Sequence, residues 1–182
     1  MEYIFNPDEF DIEEELAKSL EQLTDEGKVC PTCLDRYTNH RYFGDNTLRK
    51  TFADKDIECV FIPNPRAPGH MIINTQKHYK DISEIPRKLN AKIMDFAQEY
   101  INIILKVYNC ESVYLCTMCD GPINHYHVQL IPRYANEKRG SKNFIKNRGE
   151  YVFEPDKFEK VCKMIQSFAE KEYSTQEEQP QM

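Results

Sequence analysis

Three side chains able to transfer protons or bind metals stand at alternate positions in one short segment. His125, His127 and Gln129 are separated by single apolar residues. In a strand, alternate side chains point to the same face, so this spacing predicts that all three project from one side of a sheet, about 6–7 Å apart. A neutral imidazole is a nucleophile near pH 7, whereas an amide forms hydrogen bonds but cannot titrate. A polar sheet face exposed to water is the alternative interpretation.

The cysteines offer a second kind of chemistry. Cys30 and Cys33 form a Cys-x-x-Cys pair, and Cys116 and Cys119 form another, among seven cysteines in all. Such a pair suits a metal or a redox centre, although two unrelated thiols are the alternative. The two pairs together could hold zinc, but Cys116 falls in an apolar strand, where a buried thiol is ordinary. His40 is a further candidate ligand, seven residues after Cys33.

The composition limits the class of protein. The chain has 182 residues, a net charge of −6, 40% hydrophobic residues and 30% charged residues. This favours one well-packed domain with a modest extension. An acidic chain is unsuited to general nucleic-acid binding, although one local basic pocket would suffice for a small anion. Because no apolar run is long enough for a membrane span or typical of a signal peptide, we expect a cytoplasmic protein with reduced cysteines.

The elements that would position these residues predict an α+β domain. Apolar periodicity predicts helices, and alternating or β-branched runs predict strands. The predicted helices cover residues 6–26, 85–108 and a segment opening at Pro155; the predicted strands cover 58–62, 70–74, 113–117 and 125–132. The segment from Cys30 to Cys33 is predicted as a tight turn and residues 37–50 as irregular. This order favours a mainly antiparallel sheet.

The same pattern divides the chain into three parts. We predict an N-terminal helical extension at 1–27, a catalytic domain at 28–173 and a disordered tail at 174–182, which is rich in Gln and Glu. The helix over 85–108 has a wide apolar face that includes Met94, Tyr100 and Tyr108, which would suit a partner.

Two stretches resemble those of a known family. The segment from His125 to Arg133 resembles the signature of the histidine triad (HIT) superfamily, in which His-x-His-x-His or His-x-His-x-Gln precedes apolar residues. The stretch from Pro68 to His78 resembles that superfamily's other recurrent segment, a Pro-Gly-His strand leading to a Lys-His turn. The likeness covers residues 29–133. It implies a HIT-like fold with about five strands, one long helix and a C-terminal helix.

The variant with Gln129 implies a metal site. It resembles the branch that includes galactose-1-phosphate uridylyltransferase and dinucleoside polyphosphate phosphorylases. In that branch a Cys-x-x-Cys pair, an upstream histidine and the first histidine of the signature can bind zinc. The corresponding residues here are Cys30, Cys33, His78 and His125. Two thiolates and two imidazoles make a closed tetrahedral site of structural type.

The catalytic roles are carried over from the same likeness. His127 would attack the α-phosphorus of a nucleotide and form a nucleotidyl-histidine, with His125 and Gln129 beside it. The implied enzyme is a nucleotide hydrolase or nucleotidyltransferase acting on a dinucleoside polyphosphate, a nucleotide sugar or a nucleoside phosphoramidate. Gln129 favours transfer or phosphorolysis over hydrolysis, because an amide cannot protonate a leaving group. His70 is expected to be a structural histidine.

The candidate substrate-binding residues lie outside this triad. They are Asn124 and Gly121 in the turn before the signature, Asn64 in the proline-rich loop, and Arg133. The basic stretch from Lys138 to Arg148 is a further candidate for neutralising a leaving polyphosphate. In much of the family an acidic residue that holds the ribose occupies the position of Ile62.

Two other classes of function remain as alternatives. A zinc-stabilised nucleotide-binding module without turnover would agree with Ile62 and Gln129. A redox or metal-handling protein would agree with the two cysteine pairs. Small members of the superfamily form two-fold dimers, so the resemblance implies a homodimer that binds a small nucleotide.

Overall fold

A computed structural model describes residues 6–119 and 121–173 of the chain. The predicted tail at 174–182, residues 1–5 of the predicted extension and Asp120 lie outside the described residues. Within the described ranges, no helix combines the length and the apolar character needed to cross a membrane.

A five-stranded antiparallel sheet forms the centre of the molecule. The strands are β1 (Lys50–Ala53), β2 (Ile57–Phe61), β3 (Met71–Thr75), β4 (Ser112–Cys116) and β5 (His127–Arg133). Their order across the sheet is β1-β2-β3-β5-β4, and every neighbouring pair is antiparallel. The predicted α+β class and the mainly antiparallel sheet are confirmed. β1 is not among the strands predicted from sequence, because four residues that begin with a lysine carry little alternation.

Five α-helices surround this sheet in the described part of the chain. They are α1 (Ile12–Ala17), α2 (Leu20–Glu26), α3 (Pro31–Tyr37), α4 (Arg87–Tyr108) and α5 (Pro155–Tyr173), with 3-10 helices at Pro7–Glu9 and Ser141–Asn143. The single acidic helix predicted over 6–26 is wrong. A second helix begins after Ser19, its N-cap residue. The Ser19 side chain accepts from the Gln22 backbone, and the Gln22 side chain accepts from the Ser19 backbone. This reciprocal capping box stabilises a new helix start.

The predicted tight turn between Cys30 and Cys33 is also wrong. Pro31 occupies the first position of α3, and Cys30 precedes it as the N-cap residue. The proline ring fixes a helical φ at a position whose N–H needs no partner, so it favours a helix start. The two cysteines are therefore held on one helical turn.

α4 and α5 cover one face of the sheet and form the main core. The buried side of α4 includes Phe96, Tyr100 and Ile104. Phe96 contacts the ring of Phe168 on α5 at a centroid distance of 5.3 Å, and the Tyr100 hydroxyl is 2.8 Å from that of Thr51 on β1. The wide apolar face of α4 is thus accounted for by its own sheet and α5, and it is no argument for a partner protein.

The opposite face of the sheet borders a cavity of about 440 Å³. Alternate residues of β2, β3 and β5 line it, among them Val60, Ile72 and His127. The N-terminal helices form its wall, because α2 and α3 pack on each other around a small separate core. That core consists of Leu23, Val29, Cys30, Cys33 and Leu34. The N-terminal segment therefore closes one side of a cavity that opens onto the HIT-like signature.

Candidate functional site

Four sulphur and nitrogen atoms meet at the edge of this cavity. Cys30, Cys33, His78 and His125 each offer one ligand atom, and these atoms all lie within 4.8 Å of one another. Sγ of Cys33 is 3.5 Å from Nδ1 of His78 and 3.6 Å from Nδ1 of His125, while Sγ of Cys30 is 3.7 Å from Nδ1 of His125. Zinc–ligand bonds of about 2.3 Å to sulphur and 2.0–2.1 Å to nitrogen, at a tetrahedral angle, separate these atoms by about 3.6 Å. The cluster therefore fits a tetrahedral zinc ion in size and chemistry.

The fold explains how distant residues reach this cluster. α3 presents Cys30 and Cys33 at its N-terminus. β3 and β5 are antiparallel neighbours, and Asn74 near the end of β3 pairs with His127 at the start of β5. The loop after β3, which carries His78, and the residues before β5 therefore lie at the same end of the sheet.

His125, one of the two histidines in the cluster, has a defined hydrogen-bond environment. Nε2–H of His125 donates to the backbone carbonyl of Thr75 over 2.8 Å, which leaves the Nδ1 lone pair directed at the sulphurs. Such a bond from the far ring nitrogen fixes the orientation of a ligating histidine. Arg36 donates to the same carbonyl over 2.7 Å and holds that loop in place. The neighbouring thiol of Cys30, followed by the His125 and His78 rings, lowers the pKa of Cys33, which favours the thiolate that metals bind.

The alternative ligands from the sequence lie elsewhere. Nδ1 of His40 is 2.8 Å from a carboxylate oxygen of Asp35. Cys116 is on β4, where it pairs with Gln129 rather than with the Cys30–Cys33 pair. All seven cysteines fall within the described residues and are free thiols. The structure therefore brings together the ligand set with two histidines, not the sets that include Cys116 and Cys119 or His40.

His127 begins β5 and faces the cavity. Its Nδ1 is 2.9 Å from the backbone carbonyl of His125, and a carbonyl can only accept, so Nδ1 carries the proton. Nε2 of His127 therefore keeps its lone pair, and the amide nitrogen of Gln129 donates to it over 3.2 Å. Burial lowers the pKa of His127, so its ring is neutral at pH 7. The arrangement presents a nucleophilic nitrogen to the cavity.

The predicted common face holds for His127 and Gln129 but not for His125. His125 precedes β5, and its ring lies in the Cys–His cluster instead. Its side chain therefore belongs to the Cys–His cluster, and its backbone carbonyl contacts the His127 ring.

His70 lies behind Gln129 and is 1% exposed. Its Nδ1 accepts from the Arg66 backbone over 3.1 Å, so Nε2 carries the proton and donates to the Gln129 amide oxygen over 3.3 Å. Burial, followed by the charge of Arg148, lowers the pKa of His70 to about 3. The neutral ring thus fixes which end of the Gln129 amide faces His127.

Two of the predicted substrate-binding residues line the cavity, namely Asn64 and Asn124. The Asn124 side chain also closes the turn before the signature, because its oxygen accepts from the Gly121 N–H over 3.2 Å and its nitrogen donates to the Gly121 carbonyl over 2.8 Å. The N–H of Gly121 is engaged by this turn, and Gly121 does not line the cavity. The predicted anion-binding role of Gly121 is corrected accordingly.

The predicted role of Arg133 is also corrected. Its guanidinium forms an ion pair of 2.6 Å with Glu111 and donates to the Ser112 hydroxyl and to the Tyr134 and Glu137 carbonyls. Arg133 is six residues along β5 from His127, a distance of about 20 Å at the rise of a strand. It is a buried structural cation, remote from His127.

The cavity is lined by an arginine side chain that the signature did not identify. Arg148 lines it, whereas its basic neighbour Lys146 pairs with Glu137 over 2.6 Å. The only signal for Arg148 in the sequence is its place in the basic stretch that begins at Lys138. Ile62, at the position of the family's ribose-binding acid, also lines the cavity and presents an apolar surface there.

Comparison with known proteins adds a fold assignment. No family model matches the chain. An uncharacterised HIT-like protein of Methanocaldococcus jannaschii is 22% identical over 98 residues, which is 52% of this chain and 75% of that protein.

Two solved structures resemble the chain in fold. A hypothetical histidine triad nucleotide-binding protein of Sulfolobus tokodaii superimposes with a TM-score of 0.53 at 17% identity, covering 69% of this chain and 89% of that one. A histidine triad protein of Marinobacter aquaeolei superimposes with a TM-score of 0.55 at 10% identity, covering 65% and 88%. Identities this low establish the fold alone. The chain has the HIT-like fold that was implied by the two stretches resembling the HIT superfamily.

Proposed function

We propose that this protein is a HIT-type nucleotide hydrolase or nucleotidyltransferase that forms a covalent intermediate on His127. The single observation that carries the proposal is the state of this ring. Its Nδ1–H is held by the His125 carbonyl, and its Nε2 lone pair faces a cavity beside an amide donor. The HIT-like fold, and a similar structure named as a nucleotide-binding protein, support a nucleotide as the ligand.

The chemistry is nucleophilic substitution at phosphorus. Nε2 of His127 forms a bond to the α-phosphorus, and the bond from phosphorus to the leaving-group oxygen breaks, with the electron pair going to that oxygen. The proton on Nδ1 stays in place, and the charge that develops on the ring faces the His125 carbonyl. An acceptor hydroxyl, phosphate or water then attacks phosphorus and releases its proton, and the bonding pair returns to Nε2.

Gln129 has one role in this sequence of steps. Its amide nitrogen caps the His127 lone pair over 3.2 Å, and it becomes available to a non-bridging phosphoryl oxygen once that lone pair bonds to phosphorus. The amide cannot protonate a leaving group. The site therefore favours leaving groups that are stable as anions, such as a phosphate or a nucleotide.

We also propose that Cys30, Cys33, His78 and His125 hold one structural zinc ion. All four positions around the ion would be filled by protein, so zinc would supply folding energy rather than an open site for substrate. Its contribution to catalysis would pass through His125, whose backbone carbonyl orients His127.

The direct test is a search for the covalent adduct. Zinc-loaded protein is mixed with diadenosine polyphosphates, nucleotide sugars or nucleoside phosphoramidates, quenched in milliseconds and weighed by mass spectrometry. We expect one nucleotidyl group per chain, and its loss in His127→Asn. His40→Asn is the matched control, because His40 has φ +64°, which asparagine tolerates, and lies outside the Cys–His cluster.

The products separate the reaction classes. A nucleoside diphosphate formed only with added phosphate would identify a phosphorylase, and a monophosphate formed in water alone would identify a hydrolase. An adduct that persists in His127→Asn would refute the proposal. Nucleotide binding with neither adduct nor product over hours would instead support the zinc-stabilised binding module, which the apolar Ile62 in the cavity favours.

We keep the homodimer and the cytoplasmic location as proposals. β4 is an edge strand, and Leu115 on it is 45% exposed, so a second copy could extend the sheet there. Free thiols at all seven cysteines fit a reducing compartment. Light scattering after size-exclusion chromatography measures the dimer, and a monomer mass at micromolar concentration would refute it.

A further inference from the structure

Three arginines line the cavity, and two of them donate several hydrogen bonds to backbone carbonyls of the protein. Arg36 donates to the carbonyls of Thr75 and Gln76 and lies 3.4 Å from the Glu58 carboxylate. Arg49 donates to backbone carbonyls of Phe43, Gly44, Asp45 and Phe61. Of the five N–H donors of a guanidinium, about three in each of these groups are therefore committed to structural acceptors.

Arg148 differs from the other two. Its guanidinium makes one hydrogen bond, from Nη1 to the backbone carbonyl of Asn64 over 3.0 Å. Across residues 6–119 and 121–173, no carboxylate forms an ion pair with it. Partial burial, followed by the nearby charge of Arg66, lowers the pKa of Arg148.

The backbone that carries Arg148 is anchored. The segment 148–151, which we call the strap, runs along the proline-rich loop that precedes β3. Gly149 N–H donates to the Pro65 carbonyl over 2.9 Å, and Tyr151 N–H donates to the Pro63 carbonyl over 3.0 Å. The Arg148 side chain is exposed at the rim of the cavity, and the strap fixes the backbone from which it projects.

The location of Arg148 relative to the nucleophile follows from its neighbours. Asn64, which holds the guanidinium, lines the same cavity as His127 and Gln129. The loop that pairs with the strap also contacts His70, since the Arg66 N–H donates to its Nδ1 over 3.1 Å. Nε2 of His70 is 3.3 Å from the Gln129 amide oxygen, so Arg148 lies on the Gln129 side of His127. The Cys–His cluster lies on the His125 side. A phosphoryl chain that starts at His127 and leads away from the cluster would reach the guanidinium.

We infer that Arg148 binds the phosphoryl group adjacent to the one that His127 attacks, so the substrate is a nucleoside polyphosphate or nucleotide ester with a phosphoanhydride bond. The planar fork of an arginine suits two phosphate oxygens at once. This inference rests on the proposed function for the position of the α-phosphoryl group. It goes beyond that proposal because it selects phosphoanhydrides over phosphoramidates and single phosphates.

Equilibrium binding tests the inference without turnover. The probes are α,β-methylene-ADP, which has a second phosphoryl group and an uncleavable bridge, and AMP, which lacks both; the uridine pair is measured in parallel. In calorimetry on zinc-loaded protein, Arg148→Ala should weaken the methylene diphosphate about tenfold or more and AMP by less than about threefold. Arg148→Lys should fall between, because it keeps the charge and loses the fork.

Lys142→Ala is the matched control, since it removes the same charge from the exposed part of the same basic stretch outside the cavity. It should change neither affinity. Equal weakening of both probes by Arg148→Ala, no weakening of either, or failure of wild-type protein to prefer the diphosphate would overturn the inference. The result is separable from the fate of the proposed function, because an adduct on His127 with a phosphoramidate tests the nucleophile whether or not Arg148 binds phosphate.

Discussion

The backbone carbonyl of His125 accepts the Nδ1–H of His127 over 2.9 Å, while the ring of the same His125 lies within 3.7 Å of both Cys30 and Cys33 sulphurs. One residue therefore belongs to the Cys–His cluster through its side chain and contacts the proposed nucleophile His127 through its backbone. A change in the cluster that moves the His125 ring should therefore also move the His125 carbonyl, and with it the ring of His127.

Removal of one cysteine ligand should show this coupling. We expect Cys33→Ala to lower zinc content from one per chain to near zero and to lower the melting temperature by roughly 10 °C or more, since zinc binding contributes folding energy. Adduct formation on His127 should fall with it. Zinc is measured by mass spectrometry of the metal and stability by calorimetry. Cys116→Ala, a half-buried thiol outside the cluster, should keep its zinc; zinc retained in Cys33→Ala would contradict the assignment.

The Gln129 amide should matter through its donor. Gln129→Glu keeps the shape but places a negative charge 3.2 Å from the His127 lone pair, where phosphoryl oxygens must approach. We expect the single-turnover rate of adduct formation to fall about 100-fold or more, and Gln129→Ala to fall less. Rapid-quench measurement provides both rates. If the glutamate variant matched wild type, the amide would have no role at phosphorus.

His70 should make stability depend on pH in a defined direction. The pKa of this ring is lowered to about 3 in the folded protein, from 6.5 when it is unfolded. Above pH 6.5 both states are neutral and the protein has its full stability. As pH falls from 6.5 toward 3, only the unfolded chain takes up the proton, so stability declines, by about 2 kcal/mol between pH 7.5 and 5.

The comparison needs a variant that cannot titrate. His70→Gln should lack this part of the decline, while the other side chains are the same in both proteins. Urea unfolding of zinc-loaded wild type and variant at each pH gives the difference. Parallel stability curves over this range would show that the His70 ring is not kept neutral by burial.

Arg133 should affect stability rather than substrate. Its guanidinium is almost buried, and its 2.6 Å partner Glu111 is partly exposed. Solvent screens that pair, so Arg133→Met should cost roughly 1–3 kcal/mol in the free energy of unfolding. The affinity for α,β-methylene-ADP should stay within about twofold of wild type. Weaker binding with unchanged stability would restore the role predicted from the sequence.

Local spacing was sufficient to predict much of this molecule. The alternation of His127 and Gln129 required only the period of a strand, and the long helix required only its apolar repeat. The likeness to the zinc-binding branch of the family pointed to Cys30, Cys33, His78 and His125, whereas residue type alone left Cys116, Cys119 and His40 open. Periodicity and motif are carried by neighbouring residues, and they do not need the tertiary fold.

The remaining features depend on contacts between distant segments. Arg148 reaches the cavity because the strap pairs with the loop at Pro63 and Pro65, about 85 residues away in sequence. No periodic pattern marks such a pairing. Arg133 could have been excluded from the sequence, since its distance along β5 already placed it about 20 Å from His127. The start of a new helix after Ser19 is marked in the sequence by a Ser-x-x-Gln pattern, but the continuous apolar stripe favoured a single helix.

The spread of the metal-type ligands along the chain has a consequence for synthesis. Cys33 and His78 are 45 positions apart, and Cys30 and His125 are 95 apart. At a ribosomal rate of about 5–20 residues per second, the two thiols emerge roughly 5–20 seconds before the last ligand. During that interval the nascent chain would carry the two thiols without the complete set of four side chains. Loading with the proposed zinc ion would therefore wait for the emergence of His125, and oxidants encountered earlier would find the cysteines unprotected.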